Sequence, residues 1–158
     1  MENVRDRLEQ LLRAGVDCAN GLKEVLNDER TALEDQDTDA LNTAAQHKQS
    51  FLTQLETLET ERREICQKSG FGTAANAIDE LLNWCDAELV IRGNWDHFVD
   101  IAKECSELNF SNGAIINVRR QQISGALAVI RGDSQNQETY SRSGRDTSST
   151  GQRVLAEI

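Results

Sequence analysis

The sequence predicts an all-α protein: a long antiparallel helical hairpin packed with further helices as an elongated bundle, followed by a polar C-terminal tail. Three observations predict this class. The 158 residues include no proline, the residue that usually breaks or kinks a helix interior. Aromatic residues make up only 4% of the chain, whereas strands draw on aromatic and β-branched side chains. Apolar residues also recur at steps of three and four, the spacing of one helix face.

Two apolar stripes predict the hairpin. The first predicts a helix over about 3–35 and the second a helix over about 38–68. Asp37 is well suited to cap the second helix, because aspartate accepts hydrogen bonds from free backbone N–H groups of a first turn. A connection of only a few residues makes the two helices antiparallel. Gly15 lies on the first stripe, where it would let a bulky partner side chain approach closely.

Basic residues interrupt the second stripe. Lys48 and Arg62 stand at positions where the spacing calls for apolar side chains. Long basic side chains can bury their stems and keep the charge in water. A salt bridge across the hairpin to an acidic residue such as Glu29 is one way to satisfy such a charge.

The middle of the chain predicts two more helical segments, over about 74–111 and 113–131. Gly70 suits the left-handed position after the second helix, and Thr73 can cap the next one. The spacing leaves open whether 74–111 is one helix or two. It also leaves open whether Asn109 and Asn112 form a buried polar pair that sets helix register or an ordinary helix break. Trp84 and Trp95 fit either the core or an exposed anchor for a partner, with the core favoured.

The composition changes after Gly132. We predict a helical bundle over 1–131 and a flexible tail over 132–158, because residues 133–153 contain no aliphatic side chain larger than that of threonine. Tyr140 is the only aromatic residue of this tail, which makes it either a solvated tyrosine or an anchor for a partner. Three apolar residues near the end are spaced to form a short terminal helix: Val154, Leu155 and Ile158.

Composition and motifs favour a binding protein over an enzyme. The net charge of −10 disfavours nucleic acid and anionic membranes as partners. No nucleophile elbow, phosphate loop or Glu-x-x-His metal motif occurs, so we predict no catalytic residue, no cofactor and no metal. The four cysteines fit reduced, buried thiols. No signal peptide or membrane-spanning segment is predicted, so we expect a cytoplasmic protein without stable membrane insertion, as a monomer or homodimer.

Two elements in the hairpin and its neighbour carry a resemblance to a known family. The first is E-R-x-A-L-x-x-x-D-x-D-x-L from Glu29 to Leu41, with Lys48 following it. The second is N-x-x-N-G-x-I-I from Asn109 to Ile116.

Two further elements lie towards the C-terminus. They are Q-Q-x-x-x-A-L at 121–127 and a tail that carries Tyr140, Gly144 and G-x-R-x-L-A at 151–156. In this order the four elements resemble the FlgN family, the flagellar export chaperones of the hook-filament junction proteins.

The resemblance implies a cytoplasmic chaperone that binds the C-terminal amphipathic helices of the junction proteins FlgK and FlgL. Such a chaperone prevents premature assembly and delivers its clients to the flagellar type III export gate. We expect Tyr140 to anchor the gate or another partner, and the client to bind seven apolar residues: Ile116, Ile123, Leu127, Ile130, Val154, Leu155 and Ile158. The alternative is a helical coiled-coil adaptor or structural protein without an export role, which would bind through the 1–68 hairpin.

Overall fold

The computed structural model describes residues 2–86 and 89–131, with the side chains of residues 2 and 3 left aside. This part of the chain contains no strand, so the predicted all-α class is confirmed. The chain divides into two units, residues 1–120 and 121–158, and the described part of the second is the helical segment 121–131. Four helices occur in the described residues: α1 (Glu2–Asp35), α2 (Thr38–Lys68), α3 (Ala77–Cys85) and α4 (Val90–Arg131).

The turn between α1 and α2 forms as its sequence predicts. Gln36 takes the left-handed conformation with φ 61°, which reverses the chain within two residues. Asp37 then caps α2: its Oδ1 accepts hydrogen bonds from the backbone N–H groups of Asp39 and Ala40, each at 3.0 Å. These bonds satisfy two of the donors that have no partner within the helix.

The segment after α2 agrees with one expectation and corrects another. Gly70 follows the last turn with φ 88°, the predicted left-handed conformation. Thr73 does not cap α3, which begins only at Ala77. The chain forms a turn first, in which the N–H of Ala77 donates to the carbonyl of Ala74 at 3.0 Å. Asn76 therefore takes the cap position, and its side chain bonds to the carboxylate of Glu80 at 2.6 Å.

The region predicted as 74–111 forms two helices. Asp86 follows α3, and its buried carboxylate accepts hydrogen bonds from the backbone N–H groups of Val90 at 3.1 Å and Arg92 at 2.7 Å. A negative charge here also interacts favourably with the helix dipole. One carboxylate therefore both follows α3 and caps the start of α4.

The predicted interruption between 111 and 113 is wrong, because α4 runs without a break from Val90 to Arg131. Asparagine favours turns when its side chain bonds to the nearby backbone. Here the amide of Asn112 bonds instead to residues of α1, which lie more than 80 positions earlier in the chain. The local signal for a turn is therefore overridden by tertiary contacts.

Two apolar clusters hold the first unit together. One lies near the N-terminal part of α1: Leu8, Leu11, Leu12, Ile65, Cys66, Ala77, Ile78, Leu81, Leu82 and Ile91. The other joins the second half of α1 to α4: Ala19, Leu22, Leu26, Ile101 and Cys105. The four cysteines are free thiols. Burial raises the pKa of each thiol, so they stay protonated at neutral pH and serve as small apolar residues.

Glycine allows two close approaches on α1. The ring of Phe98 lies 3.4 Å from where a Cβ of Gly15 would stand, an ordinary contact that agrees with the expected approach of a bulky side chain. The ring of Phe51 lies only 2.5 Å from the corresponding point at Gly21, so any side chain there would displace the ring. Gly21 is therefore the position where packing requires glycine, and the spacing pattern did not single it out.

The two tryptophans differ in environment. Trp95 packs against the first apolar cluster. The centroids of the Trp95 and Phe98 rings are 5.8 Å apart, and the guanidinium of Arg62 lies 5.6 Å from the centroid of the Trp95 ring. Trp84 is 45% exposed and touches Phe71, with ring centroids 5.9 Å apart. The favoured core location thus holds for Trp95 and is wrong for Trp84, because Trp84 lies on the outer side of the short helix α3.

Candidate functional site

A cluster of polar side chains joins α1, α2 and α4 inside the first unit. We call it the polar node, and it consists of Glu29, Arg30, Lys48, Asn109, Ser111 and Asn112. Five of them belong to the first two sequence elements that carry the family resemblance, and Lys48 follows the first of these elements. Elements separated by more than 60 residues in the chain therefore meet at one place in the fold.

Asn112 is the centre of the polar node and is 1% exposed. Its amide nitrogen donates to the carbonyl of Leu26 at 2.8 Å and to Oε2 of Glu29 at 2.9 Å. Its amide oxygen accepts from Nε of Arg30 at 3.1 Å. Every hydrogen of the amide is used, so burial leaves no unsatisfied donor.

Two charged side chains complete the node. The other carboxylate oxygen of Glu29, a residue only 3% exposed, accepts from Nζ of Lys48 at 2.5 Å, which confirms the suggested pair across the hairpin. Arg30 also donates to the hydroxyl of Ser111.

Arg62, the other basic residue that interrupts the second stripe, does not bond across the hairpin in this way. It binds Glu59 on its own helix, at 2.7 and 2.8 Å. That pairing lowers the pKa of Glu59 and raises the pKa of Arg62.

The arrangement of the polar node answers the question about the two asparagines. Asn112 is the buried, register-setting residue, because its three bonds can form at only one alignment of α4 with α1. Asn109 is exposed and meets Lys48 at the long distance of 3.5 Å. The buried members of the node, Glu29 and Asn112, are bonded to neighbouring residues, so the node stabilises the packing of α4 on the hairpin.

A second set of residues is open to solvent. We call Ile116, Ile123, Leu127 and Ile130 the apolar line; these are the four α4 residues that sequence analysis assigned to client binding. Their exposed fractions are 36%, 61%, 44% and 79%. Steps of seven, four and three keep them on one side of α4. Large apolar side chains exposed together at such spacing typically mark a surface that binds another protein.

The remaining predicted site residues are Tyr140, Val154, Leu155 and Ile158. They lie outside the described residues, so their roles stay predictions. The structure also reveals an exposed side chain that the pattern did not indicate: Phe110 is 81% exposed. Its position more than 90° around the helix from the apolar line, at about 100° per residue, was the available signal.

Two further observations concern the described part of the chain. No described helix is both long and apolar enough to cross a membrane. Among the described histidine, cysteine, aspartate and glutamate residues, no group of three or more is placed to hold a metal ion.

The fold and the apolar line together define a helical protein whose exposed helix face is suited to binding other proteins. Comparison with known families places it more narrowly: the model described as FlgN protein matches residues 1–148. The chain therefore belongs to the FlgN family, a family of flagellar export chaperones and not of enzymes. No curated protein and no solved structure matches the chain.

Proposed function

We propose that this protein is a cytoplasmic export chaperone that binds the C-terminal amphipathic helices of the hook-filament junction proteins FlgK and FlgL. The observation that carries the proposal is the exposure of the apolar line, in particular of Ile123, Leu127 and Ile130. An amphipathic helix that lays its apolar stripe along these residues would remove both apolar surfaces from water. Each large side chain fully buried in this way contributes about 1.5–3 kcal/mol before the costs of association.

Reversible binding of the client's helix would account for two tasks of an export chaperone: preventing early assembly and releasing the client for export. A junction protein whose assembly helix lies against the chaperone cannot use that helix to assemble early. Release requires that the contact is reversible, which contacts along one exposed helix face permit. Delivery to the flagellar type III export gate is assigned to the tail, with Tyr140 as the anchor and Val154, Leu155 and Ile158 as further contacts with the client.

The test measures binding of peptides with the C-terminal helices of FlgK and FlgL by isothermal titration calorimetry. Ile123→Ser combined with Leu127→Ser should weaken binding at least about tenfold, since two apolar anchors are lost. The matched control is Phe110→Ser, which removes a more exposed apolar side chain from another side of α4 and should bind like the wild type. Equal binding by the double variant and the wild type would remove the apolar line from the proposal.

The alternative, an adaptor without an export role, makes a distinct prediction. Its partners would bind the 1–68 hairpin, and the serine variants of α4 would leave that binding unchanged. Failure of the FlgK and FlgL peptides to bind, together with capture of another partner by the 1–68 hairpin, would favour the adaptor.

A further inference from the structure

The basic side chains of the described residues divide into two groups. Nine lysines and arginines form ion pairs with a carboxylate. Arg30 is bonded within the polar node, and Arg5 also has a partner. Three arginines stand apart, because none makes an ion pair or hydrogen bond with another described side chain: Arg119, Arg120 and Arg131.

These three arginines lie in a stretch of sequence without carboxylates. Between Glu107 and Asp133 there is no aspartate or glutamate, although the whole chain has a net charge of −10. The last turns of α4 are therefore locally cationic on an acidic protein. A charge distribution of this kind selects among partners, since it attracts one sign of charge and repels the other.

The three arginines without a described partner also lie beside the apolar line. At about 100° per residue, Arg119 falls on one side of the line, and Arg120 and Arg131 fall on the other. Arg120 and Arg131 are exposed and Arg119 is half-buried. The surface thus has an apolar centre with guanidinium groups on both flanks, the arrangement that pairs with carboxylates flanking the apolar stripe of a second helix.

We infer that the apolar line binds an acidic amphipathic helix, one whose apolar stripe is bordered by aspartate or glutamate. This inference rests on the proposed client-binding function and adds the charge of the partner. The guanidinium groups orient the helix and discriminate against basic helices with the same apolar stripe. Each exposed pair adds little affinity, but several acting together separate acidic from basic partners.

A protein helix fits this surface better than an anionic membrane does. A membrane would face the whole protein, whose acidic residues outnumber its basic ones by 27 to 17 and oppose approach to anionic lipid. A single helix engages only the local cationic surface. The acidity of the remainder therefore works against the membrane and not against a helical partner.

Three synthetic amphipathic peptides with one shared leucine stripe provide the test. Their flanking positions carry glutamate, glutamine or lysine, and binding to the full chain is measured by fluorescence anisotropy at low and at physiological salt. At low salt the glutamate peptide should bind about tenfold more tightly than the lysine peptide, with glutamine between them. The difference should shrink at higher salt because exposed charges are screened.

Charge reversal assigns the effect to these arginines. Arg119→Glu combined with Arg120→Glu should invert the preference, so that the lysine peptide binds more tightly. Lys103→Glu is the matched control, because it reverses an exposed basic residue of α4 more than 90° from the apolar line and should leave the order unchanged. Equal binding of all three peptides, or an order unaffected by the double reversal, overturns the inference.

Two further measurements separate this inference from the proposed function. If FlgK and FlgL peptides bind through Ile123 and Leu127 but ignore the charge reversal, the charge inference fails and the chaperone proposal stands. If those peptides do not bind α4, the chaperone site itself is wrong. Sedimentation with phosphatidylglycerol vesicles tests the membrane: binding of vesicles together with loss of preference for the glutamate peptide overturns the inference in favour of lipid.

Discussion

The polar node and the apolar line use α4 in opposite ways. Around Asn112, buried polar groups form hydrogen bonds with other residues of the protein. Their donors and acceptors are therefore used within the fold. Along Ile123, Leu127 and Ile130, apolar groups are exposed, and the nearby arginines have no described partner. The usual relation between residue type and burial is reversed at both places. The buried polar groups stabilise the fold, and the exposed apolar groups form the surface that we propose for binding.

The largest expected effect comes from breaking the polar node. Lys48→Met leaves the carboxylate of Glu29, which is 3% exposed, without its cation. Loss of one member of a buried pair costs about 3–5 kcal/mol, because the remaining charge stays in a poor environment. We therefore expect the free energy of unfolding in urea to fall by about 3 kcal/mol.

Lys103→Met is the control for the node. It removes an exposed pair with Asp100, in which both side chains are 70% exposed. Such pairs contribute at most about 1 kcal/mol, so its unfolding curve should lie close to that of the wild type. If both variants lost equal stability, the buried pair between α1 and α2 would not be the feature that stabilises the polar node.

The next effect tests the tail against the apolar line. Deletion of residues 132–158 should weaken binding of the FlgK and FlgL peptides by about tenfold or more, because three predicted apolar contacts are removed. Unfolding of the hairpin should stay unchanged, because the composition of the tail predicts that it lies outside the helical bundle. Tyr140→Ala alone should affect pull-down of the export gate more than peptide binding. A truncated chain with full affinity would confine the client site to α4.

The smallest effect concerns the helix between the two regions. A Cβ at Gly113 would meet nothing within 4 Å, and the residue lies inside α4. Gly113→Ala should therefore raise the free energy of unfolding by about 0.5–1 kcal/mol, the gain expected for alanine over glycine in a helix. Gly21→Ala is the contrasting variant, because its Cβ would stand 2.5 Å from the Phe51 ring and should lower stability. A loss of stability in Gly113→Ala would mean that Asn112 and Gly113 form a turn, as their local sequence predicts, and not a continuous helix.

Much of the fold could be predicted because its signals are local. The bounds of α1 and α2 follow from apolar spacing. Asp37 caps the start of α2 and Gly70 follows its end, through hydrogen bonds and backbone angles that depend on neighbouring residues. The candidate client residues of α4 could be predicted for the same reason, since helical spacing alone places them on one face. Thr73 failed as a cap because a turn at Ala74 delays α3.

By itself the sequence determined the class of fold, the hairpin and the apolar spacing of α4, because helix periodicity and capping act over a few residues. Only the tertiary structure decided that Asn112 is buried within a continuous helix, that Glu29 is shared between Lys48 and Asn112, and that Trp84 is exposed. The tertiary structure also leaves the side chains of the apolar line exposed to solvent, together with two of the three arginines beside them. The physical reason is that periodicity shows which residues share a face, whereas burial depends on whether a distant helix comes to cover that face.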